Sequence, residues 1–335
     1  KEQSRTIEVR NHCSFDLDLG FTGGFAGLTV NDECKKHQEN DGTNRCFWSM
    51  ELQDYLESGQ STTVQLREQE SSEVIWSGAM FALKSPFMDD ACPGGKCMPY
   101  QGPTGTVTLA EFTMLKEGTT YFDVSNIHGI SIPTSMGPKD APPNEESDPY
   151  REGTAGECSW ELEPPSDHRK YLVEVKHSHG TCSEDDDCDQ HEVCGASFGH
   201  GPPVYGTCGE FFGYLNAHSN CIAGSTGYPF FCETYHDLYA CAGTYTQSGY
   251  SNIEGGPGVC GCSDYDDLDI VSAYPCHNTN PLWEEKAYKW IHYIKKGCPT
   301  GYEFQYSDAT STFTSVTDTF QVTFCPGDSE EKFFI

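Results

Sequence analysis

The chain has 335 residues, enough for one large domain or two of ordinary size with a substantial core. Its 51 acids against 20 lysines and arginines leave a net charge of −31. That charge disfavours nucleic acid and anionic membrane surfaces and leaves neutral polymers, cations and cationic matrix components as partners.

The chain opens on "KEQSRTIEVRN", which carries no apolar signal segment and reads as a mature N-terminus. Up to about residue 130, short alternating runs are broken by Gly, Asn and Asp: "TIEVRN", "STTVQLRE", "EVIWSGAMFAL", "TVTLAEFTML" and "TYFDVSNI". Several short strands at this spacing predict a β-sandwich or barrel. The last two runs flank the turn Lys116-Glu117-Gly118-Thr119. A hairpin about that turn pairs residues whose numbers sum to about 234 or 235. Glu111 and Asp123 then share the polar face, opposite each other or one position apart. Like charges so placed cost about 0.2–1 kcal/mol, so a function, a cation or solvation must offset them.

The segment "GPKDAPPNEESDPYREGTAGE", residues 137–157, predicts an exposed proline-rich loop. From about Thr181 to Cys298 the texture is dense in Cys, Gly and Tyr, which predicts a disulfide-stapled subdomain. Only "PLWEEKAYKWIHYIKK" has helical spacing there, with Leu282, Ala287, Trp290, Ile291 and Ile294 on one side. Strand texture returns in "STFTSV" and "TFQVTFC", so the end of the chain is expected to rejoin its beginning in one sheet system. The expected division is a sandwich from 1–180 and 298–335, with 181–297 inserted.

Eighteen cysteines, at spacings such as "CSEDDDCDQHEVC", indicate disulfides in an oxidising, extracellular compartment; the chain reads as secreted. Zinc is the competing use, but a paired CxxC pattern is missing. No stretch approaches the ~18 apolar residues of a membrane span, and no Asn-x-Ser/Thr sequon occurs. His177 and His179 alternate on one strand face but lack a third ligand, so no metal site is expected. The acids Glu184 to Asp187 lack the spaced ligands and glycine of a calcium loop and read as a solvated charge run. Tyr205, Phe211, Tyr214, Tyr228 and Phe230 are candidates for stacking on sugars, with packing against disulfides as the commoner role.

Three motifs in order, "IEVRNHCSFDL", "TLAEF…YFDVSNIHGISIP" and "CPTGYEFQYSDATSTFT…FQVTFCPG", resemble the thaumatin-like proteins. The stretches "HEVCGAS", "CGEFFGYLNAHSNC" and "CGCSDYDDLDI" are similar to the longer, fungal-type members. The resemblance implies a mainly β fold with little helix: a thaumatin-like β-sandwich with an inserted disulfide-rich subdomain. It further implies the pairs Cys13–Cys325, Cys92–Cys97 and Cys158–Cys298. One family bridge is missing at both ends, Ser315 standing where "STFTC" supplies a cysteine. Cys34 and Cys46 remain to pair with each other, and the ten cysteines from Cys182 to Cys276 to form five local bridges of open connectivity.

Many members of that family bind or weakly hydrolyse β-1,3-glucan in a cleft lined by an Arg and four acids. Carried over, the resemblance places Glu111 and Asp123 in that cleft, where they would be the catalytic pair of a weak endo-β-1,3-glucanase. Glu111 would donate the proton because a neighbouring anion raises its pKa. Gly78 stands for the Arg, and His128 and Thr300 stand for two acids, which weighs against efficient hydrolysis. His128 offers instead to pair with an acid and cancel part of the repulsion. No cofactor is implied. Two functions result: a secreted glucan-binding protein with weak or no hydrolysis, or a non-enzymatic protein of an extracellular matrix or biomineral acting through its acidic surface. A third, defence by perturbing a foreign wall or membrane, is opposed by the charge where membranes are anionic.

Overall fold

The computed structural model describes residues 4–25, 28–30, 35–38, 44–47, 55–67, 73–84, 107–126, 129–140, 151–152, 156–157, 171–174, 181–197, 204–215, 294, 298–303 and 311–326. Its strands in chain order begin with β1 (Ser4–Asn11), β2 (Leu17–Phe25), β3 (Leu28–Val30), β4 (Lys35–Gln38), β5 (Asn44–Phe47), β6 (Tyr55–Leu56) and β7 (Ser61–Arg67). There follow β8 (Val74–Lys84), β9 (Leu109–Leu115), β10 (Thr120–Ser125), β11 (Gly129–Ile130), β12 (Thr134–Pro138), β13 (Arg151–Glu152) and β14 (Gly156–Glu157). The last are β15 (Tyr171–Glu174), β16 (Val193–Ser197), β17 (Val204–Leu215), β18 (Phe313–Ser315) and β19 (Thr319–Phe324). The fold is mainly β, and the runs read as strands in the first 130 residues and at the C-terminal end appear as β1, β7, β8, β9, β10, β18 and β19.

Two large sheets enclose one core. The six-stranded sheet has the order β14-β12-β19-β1-β7-β3, and the seven-stranded sheet the order β13-β18-β10-β9-β8-β2-β6. Period-two alternation turns Ile7, Val9, Val64, Leu66, Phe320 and Val322 of the first toward Trp76, Met80, Phe112, Met114, Phe122 and Phe313 of the second. Phe320 bridges the layers edge-on, its ring centroid 5.6 Å from both Phe112 and Phe122. This face-to-face packing is that of a β-sandwich.

The two ends of the chain meet as alternation suggested. β1 and β19 run parallel with Ile7 opposite Phe320 and Val9 opposite Val322. Cys13 and Cys325, just beyond these strands, form a disulfide across a separation of 312 residues. Asn11 fixes the adjoining turn, donating to the carbonyls of Phe15 and Leu56 at 2.9 and 2.8 Å and accepting from the Cys13 amide at 2.9 Å.

A third sheet, β11-β17-β15-β16, joins strands from both sides of residue 180: β15 begins at Tyr171, and β11 reaches the sheet from the sandwich segment. Gly213 permits that approach, because a Cβ there would lie 1.9 Å from the Ile130 carbonyl oxygen. Tyr171 and Phe211 of this sheet meet edge to face at 5.6 Å and pack against the core. Lys84 of β8 and Glu210 of β17 form an ion pair at 3.3 Å. The expected loop at 137–157 is also not wholly a loop: β13 and β14 within it add an edge strand to each large sheet.

Two of the expected local bridges are present, Cys182–Cys194 and Cys188–Cys208, and Cys298 is disulfide-bonded. Among the described residues no cysteine is free. Cys34, Cys92, Cys97 and Cys158, and the side chain of Cys46, lie outside the described residues. Of the expected helix only Ile294 is described; it is helical and buried, and its carbonyl accepts from the Cys298 amide at 3.1 Å. Among the described residues no helix is long and apolar enough to cross a membrane.

Candidate functional site

The β9–β10 hairpin carries the two carboxyls. Gly118 supplies φ +118 at the turn, and Leu115 and Thr119 close it with an N–H···O bond of 2.8 Å. From that turn the register runs Thr120 opposite Met114, Phe122 opposite Phe112 and Asp123 directly opposite Glu111. Arg5 of β1 holds the turn from the core side, donating to the Leu115 carbonyl at 3.0 Å and to Thr120 Oγ1. Burial pushes the Arg5 guanidinium below its usual pKa, and Asp318 at 3.8 Å acts the other way.

Glu111 and Asp123 sit on the face of the seven-stranded sheet that points away from the core. Neighbouring strands place them in the row Thr22, Ala79, Glu111, Asp123. On one side of this row the face is open: Ser77 and Tyr121 are exposed and Thr113 is half-buried. On the other side Phe81, Leu109 and Ser125 are buried. The acid pair thus occupies the edge between an open and a covered part of one sheet face.

Burial pushes the Glu111 carboxyl above the usual carboxylate range. Hydrogen bonds with Ser125 and Asp123 act in the opposite direction and only partly offset it. The direction agrees with a proton-donor role, but the leading cause is desolvation rather than the neighbouring charge. A carboxyl with a raised pKa favours its protonated form, which can donate a hydrogen bond to an oxygen facing it across the hairpin.

Glycoside hydrolysis with retention needs carboxyls about 5–5.5 Å apart, and inversion about 6.5–9.5 Å. Binding alone needs no set separation, since carboxyls on neighbouring strands can donate to and accept from the hydroxyls of a bound ligand.

The remaining sequence candidates are placed differently. Gly78 lies opposite Phe112, on the core-facing side of β8, while Ala79 is the residue beside Glu111. The face assignment follows from register with β9, a strand more than twenty residues away. Gly78 therefore does not line this site, and the neighbour of the acids is a methyl group. Thr300 is buried, two residues before Tyr302, which bridges Ser125 and whose backbone bonds Val124 and Asn126 at 2.8 and 2.7 Å. His128, His177, His179, Tyr228 and Phe230 lie outside the described residues, as do the side chains of Tyr205 and Tyr214. Phe211 takes a packing role against Tyr171.

Three residues beside the pair were not singled out from sequence. Ser125 shares the face of Asp123 by simple alternation and was within reach of that rule. Tyr302 and Thr312 were not, since their hydroxyls meet each other only after the C-terminal segment docks beside β10.

The acidic run proves to be partly structural. Asp187 Oδ2 accepts from Ser183 N at 2.7 Å, Ser183 Oγ at 2.9 Å and Glu184 N at 3.2 Å, while Asp185 Oδ1 accepts from Cys194 N at 2.7 Å. The bonds from Ser183 and Glu184 hold the Asp187 carboxyl below the usual range. Two of the four acids thus clamp the loop instead of lying free in solvent. The sulfurs of Cys182, Cys188 and Cys208 lie within 4.8 Å of one another, but all three are in disulfides and are not metal ligands as they stand.

No protein-family profile matches the chain, and no curated protein matches it.

Proposed function

We propose that the chain is a secreted thaumatin-like protein that binds a neutral polysaccharide, β-1,3-glucan, at the Glu111–Asp123 pair, with hydrolysis slow or undetectable. The observation that carries this reading is the directly opposed Glu111–Asp123 pair at the edge of an open sheet face. Such a pair offers a donor and an acceptor at once, the combination that adjacent sugar hydroxyls require. The departures at Gly78, His128 and Thr300 from the charged cleft that the resemblance implies support binding over turnover. Disulfides among the described residues support an oxidising compartment.

The test is a pull-down on insoluble β-1,3-glucan beside cellulose and chitin, with reducing ends measured on laminarin. Binding to the glucan that weakens in both Glu111→Gln and Asp123→Asn, with little or no sugar release by the parent, is expected. Robust parental turnover that Glu111→Gln abolishes would replace binding by catalysis. The net charge of −31 favours a second reading, a matrix or biomineral protein that gathers cations or cationic partners. Failure to retain any of the three polymers, together with retention on a cationic or mineral surface, would select it.

A further inference from the structure

We propose that Tyr121 is the platform of a sugar subsite, and that a glucan strand lies across β8, β9, β10 and β18 on the row Ser77, Thr113, Tyr121, Thr314. The proposal rests on the polysaccharide reading above and names where its ligand runs. Tyr121, the second residue of β10, is 40% exposed and, with Val316, is one of the two exposed large apolar side chains among the described residues. It lies opposite Thr113 on one side and Thr314 on the other. Ser77 continues the row opposite Thr113, their hydroxyl oxygens 3.0 Å apart.

The row is hydroxyl, hydroxyl, aromatic ring, hydroxyl. Strands lie about 4.8 Å apart, so four of them give a strip about 14 Å long. These four residues are uncharged, and Glu152 of β13 follows Thr314 at the edge of the sheet. The polar edge and apolar face of a pyranose match such a strip, with the C–H face on the tyrosine ring and the hydroxyls toward Ser77, Thr113 and Thr314. Asp123 is two residues from Tyr121 on the same strand face, about 7 Å along β10. A sugar seated on Tyr121 therefore has its hydroxyls directed at the row Glu111–Asp123, which adds a donor and an acceptor on the covered side.

The experiment is calorimetric titration with hexasaccharides of β-1,3-glucose, β-1,4-glucose and β-1,4-N-acetylglucosamine, each variant checked by its melting temperature. Tyr121→Ala is expected to weaken binding of the preferred hexasaccharide about three- to tenfold, and Tyr121→Phe, which keeps the ring, by less than about twofold. Thr113→Val keeps the strand shape and removes one hydroxyl; a loss of about threefold is expected. Tyr121→Ala binding as tightly as the parent, while Glu111→Gln weakens it, would overturn the subsite and leave the acid-pair reading intact. Equal losses in Tyr121→Phe and Tyr121→Ala would remove the stacking role. A parent that binds none of the three would overturn both. Should Tyr121→Ala fail to fold, Tyr121→Phe and Thr113→Val decide: unchanged affinity in Thr113→Val would count against the strip.

Discussion

Glu111→Gln is expected to flatten the pH dependence of stability while leaving the β9–β10 hairpin in place. In the unfolded chain Glu111 titrates near the ordinary glutamate value of about 4.3, whereas burial raises it in the folded protein. Between those two values the folded state holds a proton that the unfolded state has lost. Stability therefore falls as pH rises through this window, is unaffected by Glu111 below it, and carries the full cost above it. Glutamine is close in volume; its amide can donate to Asp123 and its carbonyl can accept from Ser125, so both hydrogen bonds of the site survive. What is removed is the titration and the cross-strand repulsion, about 0.2–1 kcal/mol for a directly opposed pair. Above the window the variant should melt higher, by no more than about 3 °C for a domain of this size. Melting curves at fixed ionic strength, taken every half unit from mildly acidic to mildly alkaline pH, read this directly. Parallel curves for parent and variant would place the titrating group elsewhere and refute the raised Glu111 carboxyl. Destabilisation of more than about 2 kcal/mol at every pH would mean that the pair needs both carboxyls, as a cation site does.

Arg5→Ala should cost about 3 kcal/mol in denaturant midpoint analysis, since it opens a void and strips partners from Thr120 Oγ1 and the Leu115 carbonyl. Arg5→Met, which fills the volume, should cost about half as much; equal costs would show that packing of the stem is not involved. Replacing Cys13 and Cys325 together by alanine should lower stability by about 2–5 kcal/mol, and a loss below about 1 kcal/mol would show that the Asn11 bonds and the β1–β19 ladder suffice. Asp187→Asn should speed phosphine reduction of Cys182–Cys194 and Cys188–Cys208 several-fold, read by mass mapping, because it weakens the clamp on Ser183 and Glu184. The depressed carboxyl of Asp187 implies that the clamp holds above the ordinary carboxylate range and is lost as pH falls through the lowered value. Equal reduction rates would leave Asp187 without a role there.

Alternation and turn chemistry were enough to place seven strands of the two large sheets and to bring Glu111 within a position of Asp123; the exact register came from the structure. Both depend on the period of a strand and on a short turn, which are properties of neighbouring residues. Alternation also told which side of each strand is buried, but not against what, because hydrophobic burial has no direction. The order β18-β10-β9-β8, the third sheet beginning at Tyr171 and the docking of Tyr302 beside Ser125 join segments tens to hundreds of residues apart. No local pattern specifies such pairings. The same limit explains Gly78 and Ala79: sequence puts them on opposite faces of β8, and only the register with β9 says that Ala79 shares the face of Glu111. Desolvation of Glu111 was beyond the sequence for a related reason. Its nearest charge is visible four positions past a turn, whereas the buried end of the sheet face beside it exists only once Phe81, Leu109 and Ser125 are covered in the folded chain.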